Sequence, residues 1–164
     1  MDEDLFSLGG DAPAPRTLSD RNVDHRAPLA VRMRPRTLEE IVGQHAALEP
    51  GSPLRRLVST DDSRTAPSSV ILWGPPGTGK TTLAYVVAKS GDREFVEVSA
   101  VLAGVKDIRE VVDQARSRLR TVGRETVLFV DEVHRFSKSQ QDALLPSVEN
   151  RWVTLVAATT ENPY

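Results

Sequence analysis

Positions 69–81 read Ser69-Val70-Ile71-Leu72-Trp73-Gly74-Pro75-Pro76-Gly77-Thr78-Gly79-Lys80-Thr81. A short apolar run enters a glycine-punctuated loop, and the loop opens a helical pattern. The octet at 74–81 fits G-x-x-x-x-G-K-[ST], in which every fixed position has a physical role. Glycines let backbone N–H groups turn inward around phosphate oxygens with no Cβ in the way. The helix that begins at Lys80 aims the positive end of its dipole at the same anions. The Lys80 ammonium reaches the β- and γ-phosphates, and the Thr81 hydroxyl ligates Mg²⁺. Gly74, Pro75, Pro76, Gly77, Thr78, Gly79, Lys80 and Thr81 are therefore assigned to binding the phosphates of a nucleotide. The competing reading, a plain turn with an exposed lysine, is disfavoured by the match falling between a strand and a helix.

Strand and helix alternate downstream. Apolar runs predict strands at 69–73, 95–98, 127–130 and 153–157, and helices are predicted at 81–90, 106–119 and 137–149. Ile108, Val111, Val112, Ala115 and Leu119 recur at spacings of three and four, a helical stripe. Gly91 stops the first helix and Ser137 caps the third, each by the chemistry of helix ends. Strands this apolar belong in a parallel sheet buried on both faces by helices. The fold class is α/β, a parallel sheet sandwiched by helices around a P-loop.

Val127-Leu128-Phe129-Val130-Asp131-Glu132 is the expected second half of such a site. Ligands of open α/β sheets sit at the C-terminal edge of the strands, where these two carboxylates fall. Asp131 can hold Mg²⁺ through water, and Glu132 can polarise the water that attacks the γ-phosphate. An apolar strand ending in acids is usually only a solvated strand end; following a phosphate loop, it reads as catalytic. Val156-Ala157-Ala158-Thr159-Thr160-Glu161-Asn162 adds a polar strand tip, where Thr160 is favoured over Thr159 for contact with the attacking water or γ-phosphate. Thr-Thr at a strand end is otherwise ordinary turn chemistry.

Composition sets the outer bounds. A chain of 164 residues with 39% hydrophobic side chains is long enough for one domain with a core. The absence of cysteine excludes thiol catalysis, zinc ribbons and a disulfide framework. A formal charge of −2 excludes a globally basic nucleic-acid binder, though not a local basic patch. No run approaches the roughly 18 apolar residues of a membrane span, and the acidic Met1-Asp2-Glu3-Asp4 start is unlike a secretory signal. A cytoplasmic protein with no membrane partner is expected. Residues 1–27 are acidic and poor in apolar side chains, and are read as a disordered tail. The core is read as 28–164.

Together these residues resemble the AAA+ ATPases, whose phosphate loop is typically G-P-P-G-T-G-K-T. Within that superfamily the chain is similar to the replication-associated recombination protein A family, relatives of the Werner helicase-interacting protein. The similar blocks include Pro28-Leu29-Ala30-Val31-Arg32-Met33-Arg34-Pro35, Ile41-Val42-Gly43-Gln44, Gly104-Val105-Lys106-Asp107-Ile108-Arg109-Glu110 and Asp131-Glu132-Val133-His134-Arg135-Phe136. Lys138-Ser139-Gln140-Gln141-Asp142-Ala143 and Ala158-Thr159-Thr160-Glu161-Asn162-Pro163 continue the series. The resemblance implies Ile41 and Val42 at the adenine, Thr160 as first sensor and Ser99 as a polar restraint on Glu132. It also implies a nucleoid-associated, ring-like homo-oligomer that acts on forked or single-stranded DNA at stalled replication forks, near single-strand-binding protein. The chain stops after its fourth core strand, so an arginine finger, fifth strand, lid and oligomerisation domain are expected beyond it, and the segment by itself is expected to hydrolyse ATP barely at all.

Three further readings compete. Asp131-Glu132-Val133-His134 fits a DExH-box helicase, against which stand the double proline of the phosphate loop and the lack of a Ser-Ala-Thr segment. A nucleotide-dependent recruitment module is the other alternative; Asp4-Leu5-Phe6 resembles the end of a sliding-clamp-binding pentapeptide. Arg116, Arg118, Arg120 and Arg124 form the densest basic segment and are the candidate DNA contacts, against a solvated helix face as the plainer account.

Overall fold

A computed structural model of the chain describes residues 16–17, 28–58 and 69–162. Five strands form one sheet in the order β1-β3-β4-β5-β2. The strands are β1 (Arg16–Thr17), β2 (Val70–Trp73), β3 (Glu94–Ser99), β4 (Thr126–Asp131) and β5 (Val153–Thr159). The last four are mutually parallel, with Ser99 opposite Asp131 and Trp73 opposite Thr159. Three substantial helices connect them: α4 (Lys80–Ser90), α5 (Val105–Val122) and α6 (Lys138–Glu149). Short helices α1 (Leu29–Arg32), α2 (His45–Leu48) and α3 (Pro53–Val58) precede the sheet, and a 3-10 turn, Val133–Arg135, follows β4.

Alternation along the strands sorts the core into two layers. Phe95, Val127, Phe129, Val156 and Ala158 face α4 and α3, meeting Leu54, Leu57, Leu83, Ala84 and Val87. Phe95 is central there, edge-on to Tyr85 at 5.5 Å and stacked on Phe129 at 6.2 Å. Val96, Val98, Leu128, Val130 and Val153 face the other way, onto Ile108, Val111, Val112 and Ala115 of α5 and Leu144 of α6. The helix leaving β2 thus covers one face, and those leaving β3 and β4 cover the other. That divergence opens a crevice at the C-terminal edge of a parallel sheet.

Helix ends follow their caps. Ser137 and Gln140 exchange bonds at the start of α6, Ser137 N–H donating to Gln140 Oε1 at 2.7 Å and Gln140 N–H to Ser137 Oγ at 3.3 Å. The Gln140 amide then donates to the carbonyls of Ala103 (2.6 Å) and Ala100 (3.3 Å), fastening α6 to the β3–α5 loop. α5 runs longer than its apolar stripe predicts, to Gly123 at φ 66°, whose N–H reaches Leu119 O at 3.1 Å.

Arg16–Thr17, the described pair within segment 1–27, lies antiparallel to Glu97 and Val96 and caps backbone groups on that side of β3. One expectation is corrected. The run at 69–73, read as buried on both faces, is half exposed: Val70 and Leu72 pack inward while Ile71 and Trp73 are 58% and 56% exposed. Among the described residues β2 pairs only with β5, and no described side chain covers its second face. Leu5-Phe6 lies outside the described residues, as does most of the polar loop after α3.

Candidate nucleotide-binding and hydrolysis site

The loop between β2 and α4 closes on itself. Thr78 Oγ1 donates to Pro75 O at 2.9 Å, and the Lys80 ammonium donates to the carbonyls of Gly74 and Pro75, both at 2.8 Å. Gly77 and Gly79 sit at φ 77° and 83°, and a Cβ built on either meets nothing within 4 Å. Backbone conformation, not crowding inside the loop, is therefore what requires glycine at these positions. α4 begins at Lys80, so its first N–H groups share the loop's concavity. A contact from the N-terminal segment braces the loop, Gln44 Nε2 donating to Thr78 O at 3.2 Å.

The loop is bonded to the carboxylate strands. Gly74 N–H donates to Thr159 O at 3.2 Å, joining the mouth of the loop to the tip of β5. At the tip of β4, Asp131 Oδ1 accepts the Glu132 N–H at 3.0 Å. Glu132 itself is left-handed, φ 55° and ψ 46°, and starts the 3-10 turn. Its Oε2 accepts from the Thr160 hydroxyl at 3.4 Å and lies 3.2 Å from His134 Nε2. The other ring nitrogen, Nδ1, is 2.9 Å from Thr159 Oγ1.

The donors suit a hard cation. Thr81 offers a hydroxyl and Asp131 a carboxylate, oxygen ligands of the kind Mg²⁺ takes, with phosphate and water oxygens completing its octahedron. Among the described residues no group of three or more His, Cys, Asp or Glu could hold a metal by itself.

The structure thus gathers Asp131, Glu132 and Thr160 at adjoining strand tips beside the loop. Ser99 sits opposite Asp131 in the ladder, and the side-chain contacts of Glu132 come instead from Thr160 and His134. Ile41 packs at the margin of the α3–α4 core, whereas Val42 is 91% exposed. Three of the four candidate DNA arginines have partners in the protein: Arg116 lies 4.5 Å over the Trp152 ring, Arg118 donates to Thr126 Oγ1 at 2.8 Å, and Arg124 pairs with Glu94 at 3.0 Å and Asp92 at 3.3 Å. Arg120 is exposed. Sequence reasoning passed over Gln44 and the Thr159–His134 contact, whose partners lie 34 and 25 residues away.

The family model described as "ATPase family associated with various cellular activities (AAA)" matches residues 70–164. The chain belongs to the AAA ATPases. This AAA domain is 60% identical over 164 residues to an uncharacterised AAA domain-containing protein of Mycobacterium tuberculosis, covering 99% of this chain and 34% of that one. It is 53% identical over 136 residues to the replication-associated recombination protein A of Escherichia coli K12, covering 83% of this chain and 29% of that protein. Among solved structures it resembles the RuvB Holliday junction branch migration motor of Thermotoga maritima, at 32% identity and TM-score 0.64, over 79% of this chain and 42% of that one. The chain spans about a third of the length of the curated relatives it matches. No helix among the described residues is long and apolar enough to cross a membrane.

Proposed function

We propose that this AAA domain binds Mg-ATP and that the complete protein hydrolyses it to act on DNA during replication and recombination. The observation that carries the reading is the meeting of Glu132 and Thr160 at strand tips bonded to the phosphate loop. Lys80 exchanges its two loop carbonyls for β- and γ-phosphate oxygens when nucleotide enters. Backbone N–H groups of the loop and the first turn of α4 take the remaining phosphate charge. Thr81 and Asp131 would hold Mg²⁺, which would supply charge neutralisation at those phosphates. Glu132 accepts the proton of the attacking water, and Thr160 orients glutamate and water together. Ile41 and Val42 supply apolar surface to the adenine, and Ser99 acts near the carboxylates from β3.

The DNA part of the proposal draws on the relatives, one named for replication-associated recombination and one structure described as a Holliday junction motor. A homo-oligomeric ring follows from the same kinship, since an arginine from a neighbouring subunit would complete the transition-state charge. Such an arginine is worth about 10³–10⁵ in rate. Forked or single-stranded DNA, single-strand-binding protein and a sliding clamp are the partners to test, and a cytoplasmic, nucleoid-associated location fits them. The test is steady-state ATPase of the complete protein with and without single-stranded and forked DNA. Turnover that DNA stimulates is expected; no turnover under any condition, with Mg-ATP bound, rejects the enzymatic reading.

A further inference from the structure

We propose that His134 is a positioning residue that ties one oxygen of Glu132, leaves the other open to water, and links that glutamate through Thr159 to the phosphate loop. The proposal rests on the reading of Glu132 as general base.

The proton inventory of the imidazole argues first. Nε2 faces a carboxylate oxygen at 3.2 Å and Nδ1 faces a hydroxyl oxygen at 2.9 Å. A proton on Nδ1 alone would set the Nε2 lone pair against the carboxylate, which is repulsive. Nε2 therefore carries a proton and donates it to Glu132, whether the ring is neutral or charged. In the neutral ring Nδ1 accepts the Thr159 O–H, a contact shorter than the 3.3 Å alternative from Thr159 Oγ1 to Glu161 O. Thr159 Oγ1 also accepts the Glu161 N–H at 3.1 Å, which holds the hydroxyl in place. The second carboxylate nearby, Glu161, is 3.7 Å from Nε2 and 72% exposed, so Glu132 is the dominant partner.

The geometry of Glu132 argues second. Its left-handed backbone is one that residues with a Cβ adopt only when surroundings hold them there. Both donors, His134 and Thr160, engage the same oxygen, Oε2. Among the described residues no hydrogen bond engages Oε1. A base needs one oxygen held for aim and one left open for the incoming proton, and this arrangement provides both.

The route to the loop argues third. Thr159 presents its hydroxyl to His134 and its carbonyl to the Gly74 N–H, at 2.9 Å and 3.2 Å. A shift of the loop when phosphates bind therefore moves the group that fixes the imidazole, and through it the aim of Glu132. His134, at 18% side-chain exposure, is sheltered enough for this coupling to survive competition from water.

The experiment uses the complete protein. His134→Ala is expected to lower kcat by about ten- to a hundredfold, the usual cost of misplacing a reacting group, with KM for ATP and calorimetric affinity for Mg-ATP unchanged. His134→Gln places an amide N–H near the former Nε2 and is expected to restore part of kcat; it also serves if the alanine variant does not fold. Thr159→Val removes the hydroxyl at nearly constant volume and should lower kcat in the same direction. Combined with His134→Ala it should cost nothing further, because both break one chain of contacts. Wild-type kcat in His134→Ala and His134→Gln, or a loss confined to nucleotide affinity, overturns the proposal. Fully additive losses in the double variant overturn the link through Thr159. Glu132→Gln is measured alongside: abolished turnover there with active His134 variants rejects only this proposal, and retained turnover there rejects the general-base reading and this proposal with it.

Discussion

The two edges of the sheet use their polar residues in opposite ways. At the N-terminal edge, where β3, β4 and β5 begin, charges are paired and put to structural use. Arg93 joins Glu125 at 2.7 Å and donates to Leu57 O, so α3, β3 and the α5–β4 turn are fastened at one point. Arg124 joins Glu94 and Asp92, Arg118 holds Thr126, and Arg116 stacks on Trp152. At the C-terminal edge the polar groups bond within the loop and between neighbouring strand tips. Among the described residues Lys80 bonds carbonyls of its own loop, and Glu132 is met by Thr160 at 3.4 Å and His134 at 3.2 Å. Three of the four arginines read from sequence as a basic cluster near the first edge thus have partners inside the protein.

The largest effect that can break this contrast is expected at the C-terminal edge. Glu132→Gln keeps shape and loses the base, so turnover of the complete protein should fall by about 10²–10⁴ while Mg-ATP still binds. Steady-state kinetics beside a binding titration checks this, and turnover within a few-fold of wild type removes Glu132 as base. Next comes Lys80→Ala. Charge-assisted bonds to phosphate contribute about 1.5–3 kcal/mol, so Mg-ATP affinity should fall by roughly ten- to a hundredfold. Because the ammonium holds only its own loop, the urea midpoint should stay in place. An unchanged affinity would overturn the phosphate-loop assignment.

The opposite pattern is expected at the N-terminal edge. Arg93→Ala frees Leu57 O and leaves Glu125, itself 45% exposed, to solvent. The cost is about 1–2 kcal/mol of stability with no change in nucleotide affinity, read by urea denaturation and the same titration. Smallest is Arg120→Ala. Stability should move by no more than about 0.5 kcal/mol, and the salt dependence of DNA binding by the complete protein should lose about 0.7–0.9 of a unit of slope, one phosphate contact. A constant slope takes Arg120 out of the DNA interface.

The loop at 74–81 was legible as a candidate phosphate site because its pattern is written contiguously. Gly77 and Gly79 have the left-handed backbone that only glycine takes readily, and Lys80 and Thr81 follow at the start of α4. The position of the carboxylates at 131 and 132 was legible for a related reason: the apolar run of β4 ends in acids at the C-terminal edge of the sheet. Four parallel strands, their helices and the Ser137 cap came from periodicity and capping, which are local rules.

Contacts between distant positions had no such signature. Gln44 in a polar turn looks like any glutamine until the fold sets it against Thr78. His134 stood in the sequence as the last residue of a helicase-like tetrad until β5 brought Thr159 within hydrogen-bonding distance of its Nδ1. Arg116, Arg118 and Arg124 read as a basic patch until Trp152, Thr126, Asp92 and Glu94 arrived from other elements. The apolar run at 69–73 read as wholly buried, yet burial depends on neighbours: Val70 and Leu72 pack into the core layer of α3 and α4, and Ile71 and Trp73 stand out on the other face. Residue type and spacing decide what a segment can do with its own backbone and its near neighbours. Which side chains meet across 25 or 34 residues is set by strand order and helix packing, and these become definite only when the whole sheet assembles.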